Sequence, residues 1–279
     1  MPIVDRMLKR LFLCAALGIA TGLPATAQVT QSDAKDIVQI EFIEGWRSDP
    51  KTHIAALDIT LAQGWKTYWR APGDGGLPTK AYWSSSHNLA KTDIMWPRPT
   101  VFWDFGLRSL GYRDRLVLPI KFYAENDDDI RLMAMVVMGI CKDVCVPIRA
   151  KIKTTLSASA TEPNAVVKAA LALQPKSAKA LGIKTPVCAL SPSEKGTKLD
   201  VSLTLPPLDG QNEALVVEPQ DTSIWASEPK LKRQGDRLVA TSLLVAQGTR
   251  PISDRMAGNI RFTVLTTQDA VEINGCRLD

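Results

Sequence analysis

Five cysteines stand at positions 14, 141, 145, 188 and 276, and the spacing of the last four separates two kinds of sulfur chemistry. Cys141 and Cys145 flank the polar tip Lys142-Asp143-Val144, so a disulfide between them closes a loop of five residues. Cys188 and Cys276 would close a loop of about 89 residues. On the chain-entropy account the short loop contributes roughly 2 kcal/mol and the long one roughly 4.6 kcal/mol. That gap makes the short bridge the easier to reduce, by about 55 mV. An exposed tip also suits exchange, because an attacking thiolate must reach the sulfur in line. Lys142 favours a thiolate there and Asp143 opposes it, so neighbouring charge does not fix its acidity.

The spacing of Cys141 and Cys145 leaves three readings open: a reversible redox pair, a static clip, or a soft metal site. The metal reading draws on Met133, Met135 and Met138, since thioether and thiolate sulfur together suit Cu(I), with Cys141, Cys145 and Met138 as the ligand set. Met133 and Met135 alternate at the strand period and share one side, where core packing is the ordinary role. Cys188 and Cys276 read as a structural bridge tying the two ends of a second sheet segment. Four cysteines nonetheless allow three connectivities.

Little else carries chemistry. His53 and His87 are the only histidines, no G-x-S-x-G or HExxH pattern accompanies them, and both read as surface residues. Hydrolysis therefore has little support. Six of the seven tryptophans (Trp46, Trp65, Trp69, Trp83, Trp96, Trp103) fall in the first half of the chain. They admit an adaptor or carbohydrate-binding surface, although aromatic residues usually serve cores.

The elements that must position the cysteines begin after a leader. Arg6, Lys9 and Arg10, the apolar run from Leu11 to Ala20 and Pro24-Ala25-Thr26-Ala27 form the pattern of a secretory signal peptide over residues 1–27. Cys14 would leave with it, because Phe12 and Leu13 stand where a lipoprotein signal has small residues. Export to the periplasm follows, a compartment that permits disulfides. Loss of the leader takes three basic side chains and one acidic one from a chain of net charge +5. The remaining balance of about +3 is too small to indicate nucleic acid.

Alternating runs at Val38–Glu44, Ile54–Leu61, Leu116–Tyr123, Ile130–Met138 and Val146–Leu156 predict an antiparallel sandwich over residues 36–159. The stretch Ala71 to Pro78 reads as turns, and Asp127-Asp128-Asp129 as a hairpin turn. Residues 160–184 predict a linker helix capped by Thr161, with Pro163 in its first turn. Residues 185–279 predict a second, smaller β-sandwich, with strands at Leu199–Leu205, Ala214–Glu218, Arg237–Leu244, Ile260–Thr266 and Ala270–Ile273. Cys188 is expected just before the first of its strands and Cys276 just after the last. The fold class is thus all-β: an immunoglobulin-like sandwich, a linker helix and a second sandwich.

Several motifs in order resemble one family. Thr100-Val101-Phe102-Trp103-Asp104-Phe105-Gly106, then Gly111-Tyr112-Arg113-Asp114-Arg115-Leu116-Val117-Leu118-Pro119-Ile120, and the cysteine tip with Val146-Pro147 resemble the N-terminal domain of the thiol:disulfide interchange protein DsbD. Gly64-Trp65-Lys66-Thr67-Tyr68-Trp69-Arg70-Ala71-Pro72-Gly73-Asp74 with Met95-Trp96-Pro97 is similar to the branch that includes the suppressor-of-copper-sensitivity protein ScsB. The resemblance covers roughly Trp46 to Ala150.

It implies an immunoglobulin-like domain whose two cysteines cycle between dithiol and disulfide, exchanging electrons with thioredoxin-fold partners. Cys145 would form the mixed disulfide and Cys141 would resolve it. Trp103, Asp104 and Phe105 would form a cap loop, with Phe105 shielding the sulfurs and Asp104 placed to assist proton transfer. No cofactor is implied, with Cu(I) as the alternative. DsbD continues into membrane helices and a thioredoxin-like domain that this sequence does not contain. The implied electron source is therefore another protein, such as a membrane-embedded donor.

Overall fold

The computed structural model describes residues 28–31, 34–104, 106–248, 251–256 and 258–279. The expected signal peptide over residues 1–27, Cys14 and Phe105 lie outside them. The first sandwich contains β1 (Gln28–Gln31), β2 (Val38–Asp49), β3 (Thr52–Leu61), β4 (Lys66–Gly73), β5 (Lys80–Tyr82), β6 (Lys91–Ile94), β7 (Thr100–Asp104), β8 (Leu107–Arg113), β9 (Arg115–Tyr123), β10 (Ile130–Cys141) and β11 (Cys145–Leu156). One sheet runs β1-β11-β10-β4-β8-β7 with β5 alongside β10, and the other runs β2-β3-β9-β6.

The period of two explains how the sheets meet. On β10 the even positions Ile130, Leu132, Ala134, Val136, Met138 and Ile140 all enter the core, as a half-buried strand requires. Trp69 of β4 and Leu110 and Tyr112 of β8 join them, opposite Leu57 and Ile59 of β3 and Leu118 and Ile120 of β9. The outer face of the smaller sheet is closed by the helix α1 (Ala165–Ala172). Its Val167 packs on Trp46, Ile54 and Ala56, so β3 is buried on both sides.

The second sandwich contains β12 (Lys176–Ser177), β13 (Val187–Ser193), β14 (Gly196–Thr204), β15 (Ala214–Pro219), β16 (Ile224–Ala226), β17 (Lys230–Gln234), β18 (Arg237–Ala246), the short helix α2 (Ile252–Met256), β19 (Ile260–Leu265), β20 (Ala270–Asn274) and β21 (Arg277–Leu278). Its sheets are β16-β18-β14-β13-β21, with β17 beside β18, and β12-β20-β19-β15. A separate core forms around Leu199, Leu244, Phe262 and Val264.

The two sandwiches are bolted together by charge and by apolar contact. Arg70 of β4 donates to Glu218 at 2.9 and 3.1 Å and to Glu272 at 2.6 Å. Arg261 also binds Glu218, at 3.0 and 3.2 Å. Arg108 of β8 donates to the Leu215 carbonyl at 3.2 Å, and Val216, Leu265 and Ala270 complete the first core.

Several expectations are corrected. The span from Lys66 to Arg113, where no strand was expected and Ala71–Pro78 was read as turns, contains β4 to β8. The Asp127–Asp129 run does not join paired strands: it crosses from β9 in one sheet to β10 in the other, and Arg47 binds the Asp127 and Asp128 carbonyls. Asn164, not Thr161, caps α1 by accepting from the amides of Val166 and Val167, which leaves Pro163 outside the first turn. Cys188 lies within β13 rather than before it. His53 is fully buried, and its Nε2 donates at 2.6 Å to the carbonyl of Glu44, which stands in the irregular stretch of β2 between Ile43 and Trp46. His87 is exposed.

Candidate functional site

The cysteine tip ends the longest hairpin of the first sandwich. The β10–β11 register runs without a break from Ile130 opposite Leu156 to Cys141 opposite Cys145. Side chains directly opposite share a face, and a disulfide joins these two across a Cα–Cα distance of 4.1 Å. The cysteines differ in exposure: Cys141 is 1 % exposed, whereas Cys145 is open to solvent. Val144 at the tip is 66 % exposed.

On its other side Cys141 pairs with Lys66, the first residue of β4. Lys66, Cys141 and Cys145 therefore form a row across three strands on one face, with Tyr68 two residues along β4 on the same face. The β7–β8 register continues that face through Ser109, Phe102 and Asp104. This is the face away from the core, yet Lys66, Tyr68, Phe102, Ser109 and Cys141 are all buried on it. The Asp74–Pro78 loop covers it from one side. Gly139 is required there, because a Cβ would stand 2.7 Å from the Cβ of Leu77. On the β7 and β8 side, Asp104 and Leu107 end the pairing, and Gly106 between them takes φ +78°.

The contacts within this face are polar. Lys66 Nζ is ion-paired with the Asp104 carboxylate, lies 3.5 Å from Ser109 Oγ, and stands 5.8 and 5.7 Å from the ring centroids of Tyr68 and Phe102. The Tyr68 hydroxyl is 3.8 Å from Cys145 Sγ. Burial, with the Asp104 charge adding to it, raises the Tyr68 pKa, so the phenol keeps its proton and can donate to sulfur. Chemically, the face offers one exposed sulfur bonded to one buried sulfur, with the Tyr68 hydroxyl beside Cys145 and the Lys66 ammonium on the same face of the strand paired with Cys141.

The expected site residues do not all meet on this face. Cys141, Cys145 and Asp104 come together on this face. Trp103, 61 % exposed, points away from it, and Phe105 lies outside the described residues. Met138 enters the core, and its odd separation from Cys141 on a regular strand puts it on the opposite face. Met133 is exposed and Met135 half-buried on the outside of β10, so neither fills the core. Among the described residues no three His, Cys, Asp or Glu side chains gather as a metal site. Cys188 and Cys276 are joined by a disulfide, with Cys188 inside the second core. Lys142 lies against Gly64.

Lys66 and Tyr68 received no role from the sequence, although both stand in the Gly64–Asp74 motif. The available signal was their i, i+2 spacing between Thr67 and Trp69, which puts two polar-headed side chains on the face opposite a buried tryptophan.

Fold and site together define a tandem β-sandwich protein with a half-buried cysteine pair at one tip of its first unit. Residues 35–157, which span that unit, match the family described as thiol:disulfide interchange protein DsbD, N-terminal. The fold of the chain as a whole is similar to the crystal structure of the N-terminal periplasmic domain of ScsB from Proteus mirabilis. The TM-score is 0.66 at 21% identity, covering 88% of this chain and 94% of that one. Comparison with curated proteins finds no match.

Proposed function

We propose that this protein performs thiol–disulfide exchange in the periplasm through Cys141 and Cys145, trading electrons with thioredoxin-fold proteins and with a separate, membrane-embedded donor. The observation that carries this reading is the unequal exposure of two bonded sulfurs on a unit that matches the DsbD N-terminal family. An incoming thiolate meets Cys145 first. Attack there breaks the Cys141–Cys145 bond, forms a mixed disulfide on Cys145 and leaves the electron pair on Cys141 as a thiolate. The partner's second thiol then attacks the mixed disulfide, and the partner departs as a disulfide. Two electrons have moved, and a partner that arrived as one thiol and one thiolate has left one of each on Cys145 and Cys141.

The roles are testable with sulfurs loaded one at a time. Cys141→Ala protein carrying thionitrobenzoate on Cys145 is mixed with a thioredoxin-fold protein that retains a single cysteine. Rapid release of the chromophore and a stable mixed disulfide are expected, with Cys145→Ala protein loaded on Cys141 reacting at least tenfold more slowly. No reaction at Cys145, or equal rates at the two positions, would overturn the assignment.

A further inference from the structure

We propose that Lys66 is the electrostatic partner of the thiolate that leaves on Cys141, held ready by Asp104 while the pair is oxidised. The inference rests on the exchange role above and deepens it by naming the group that stabilises the buried sulfur. Lys66 and Cys141 are opposite residues of adjacent strands, a relationship that sets their Cβ atoms about 4.5–5.5 Å apart on one face. Lys66 is 7 % exposed, so its charge acts through a medium that screens it far less than water does.

The charge balance of the face explains why a cation is needed. When Cys145 is attacked, the negative charge carried in by the partner appears on the Cys141 sulfur, which has almost no access to solvent. An uncompensated buried thiolate would be a poor leaving group, because leaving-group acidity governs exchange rate. The titratable and charged groups around it are Lys66 and Tyr68 of β4, Asp104 of β7, Arg113 of β8 and Lys142 and Asp143 of the tip. Arg113 is engaged over the Phe102 ring, 4.4 Å from its centroid, and is exposed, as are Lys142 and Asp143. Lys66 is the cation buried on that face. In the disulfide form its charge is met by Asp104; once Cys141 ionises, sulfur and carboxylate share it.

This arrangement makes two opposite predictions from two neighbouring substitutions. In the full chain carrying Cys145→Ser, the acidity of Cys141 is read from the pH dependence of its alkylation rate. Lys66→Met is expected to raise the Cys141 pKa by roughly one unit or more, and Asp104→Asn to lower it. Lys66→Arg, which keeps the charge, is expected to retain most of the acidity. In the protein with both cysteines, Lys66→Met should slow reduction by dithiothreitol at least tenfold. An alkylation profile unmoved by either substitution, or moved in one direction by both, would overturn the role. Should Lys66→Met fail to fold, Asp104→Asn at a partly exposed position tests the same sign alone. If loaded Cys145 exchanges with its partner while the profile stays fixed, only the role of Lys66 falls; if Cys145 does not exchange, the functional reading falls first.

Discussion

Cys141 and Cys145 face each other in register across one hairpin, yet one is sealed and the other open. Strand pairing gives them a common face, and packing makes them unlike. Cys141 lies in the row between Cys145 and Lys66, on the face that the Asp74–Pro78 loop covers, whereas Cys145 begins the strand that leaves the tip.

The cover over this face should set access to the sulfurs. Gly139→Val would drive a side chain into Leu77, already 2.7 Å from a Cβ at that position, and push the Asp74–Pro78 loop outward. Iodoacetamide labelling of reduced Cys141 is expected to accelerate several-fold, with labelling of Cys145 little changed.

The second disulfide should serve stability alone. Cys188 is buried in the second core, and its bridge spans a sequence separation of 88. Replacing Cys188 and Cys276 together by alanine is expected to cost about 2–4 kcal/mol in urea unfolding. The reduction potential of Cys141 and Cys145 should not move.

The junction of the two sandwiches depends on Glu218. Burial alone would raise the pKa of its carboxyl, but hydrogen bonds and charge from Arg70 and Arg261 outweigh that and hold it below the usual carboxylate range. Stability from this group is therefore fully present above its ordinary value of about 4.5 and is lost as the pH falls through the lower folded value. Glu218→Gln leaves two guanidinium groups short of a counter-charge and is expected to destabilise the protein by about 3–5 kcal/mol. Limited proteolysis within residues 160–184 should become faster.

His53 should add sensitivity to mild acid. Burial pushes its imidazole below the ordinary 6.5; the hydrogen bond to the Glu44 carbonyl opposes the shift, and the Arg47 charge adds to it. Above that pH the ring is neutral whether the chain is folded or not. Below it the unfolded chain takes up a proton that the folded chain resists, so stability falls by at most about 1.4 kcal/mol per pH unit from this group. Urea midpoints at pH 7 and pH 5 should converge in His53→Gln relative to the parent protein.

The strands legible in the sequence were those whose alternation is strong, such as Ile130 to Met138, where every even residue is apolar and every even residue is buried. The strands from Lys66 to Arg113 were not, because glycine and proline punctuate that span and β7 is only five residues long. The cysteine pair was legible through its spacing. Its neighbours were not, since Lys66, Tyr68 and Asp104 reach it from 75, 73 and 37 residues upstream by strand pairing that no local pattern reveals. The period of two was informative where it was applied fully: Met138 and Cys141, three apart, belong to opposite faces of a regular strand. His53 misled because a polar ring inside a strand suggests solvent, whereas the neighbouring strand β2 supplies the Glu44 carbonyl for it.

The reduction potential of Cys141 and Cys145 in the otherwise native chain tests the central claim most directly, read by trapping thiols after equilibration with glutathione or dithiothreitol buffers. A reversible exchange pair is expected to equilibrate between about −180 and −270 mV, the range of thioredoxin-fold reductases and isomerases. A pair that stays oxidised below about −300 mV would instead be a structural clip and would contradict the account.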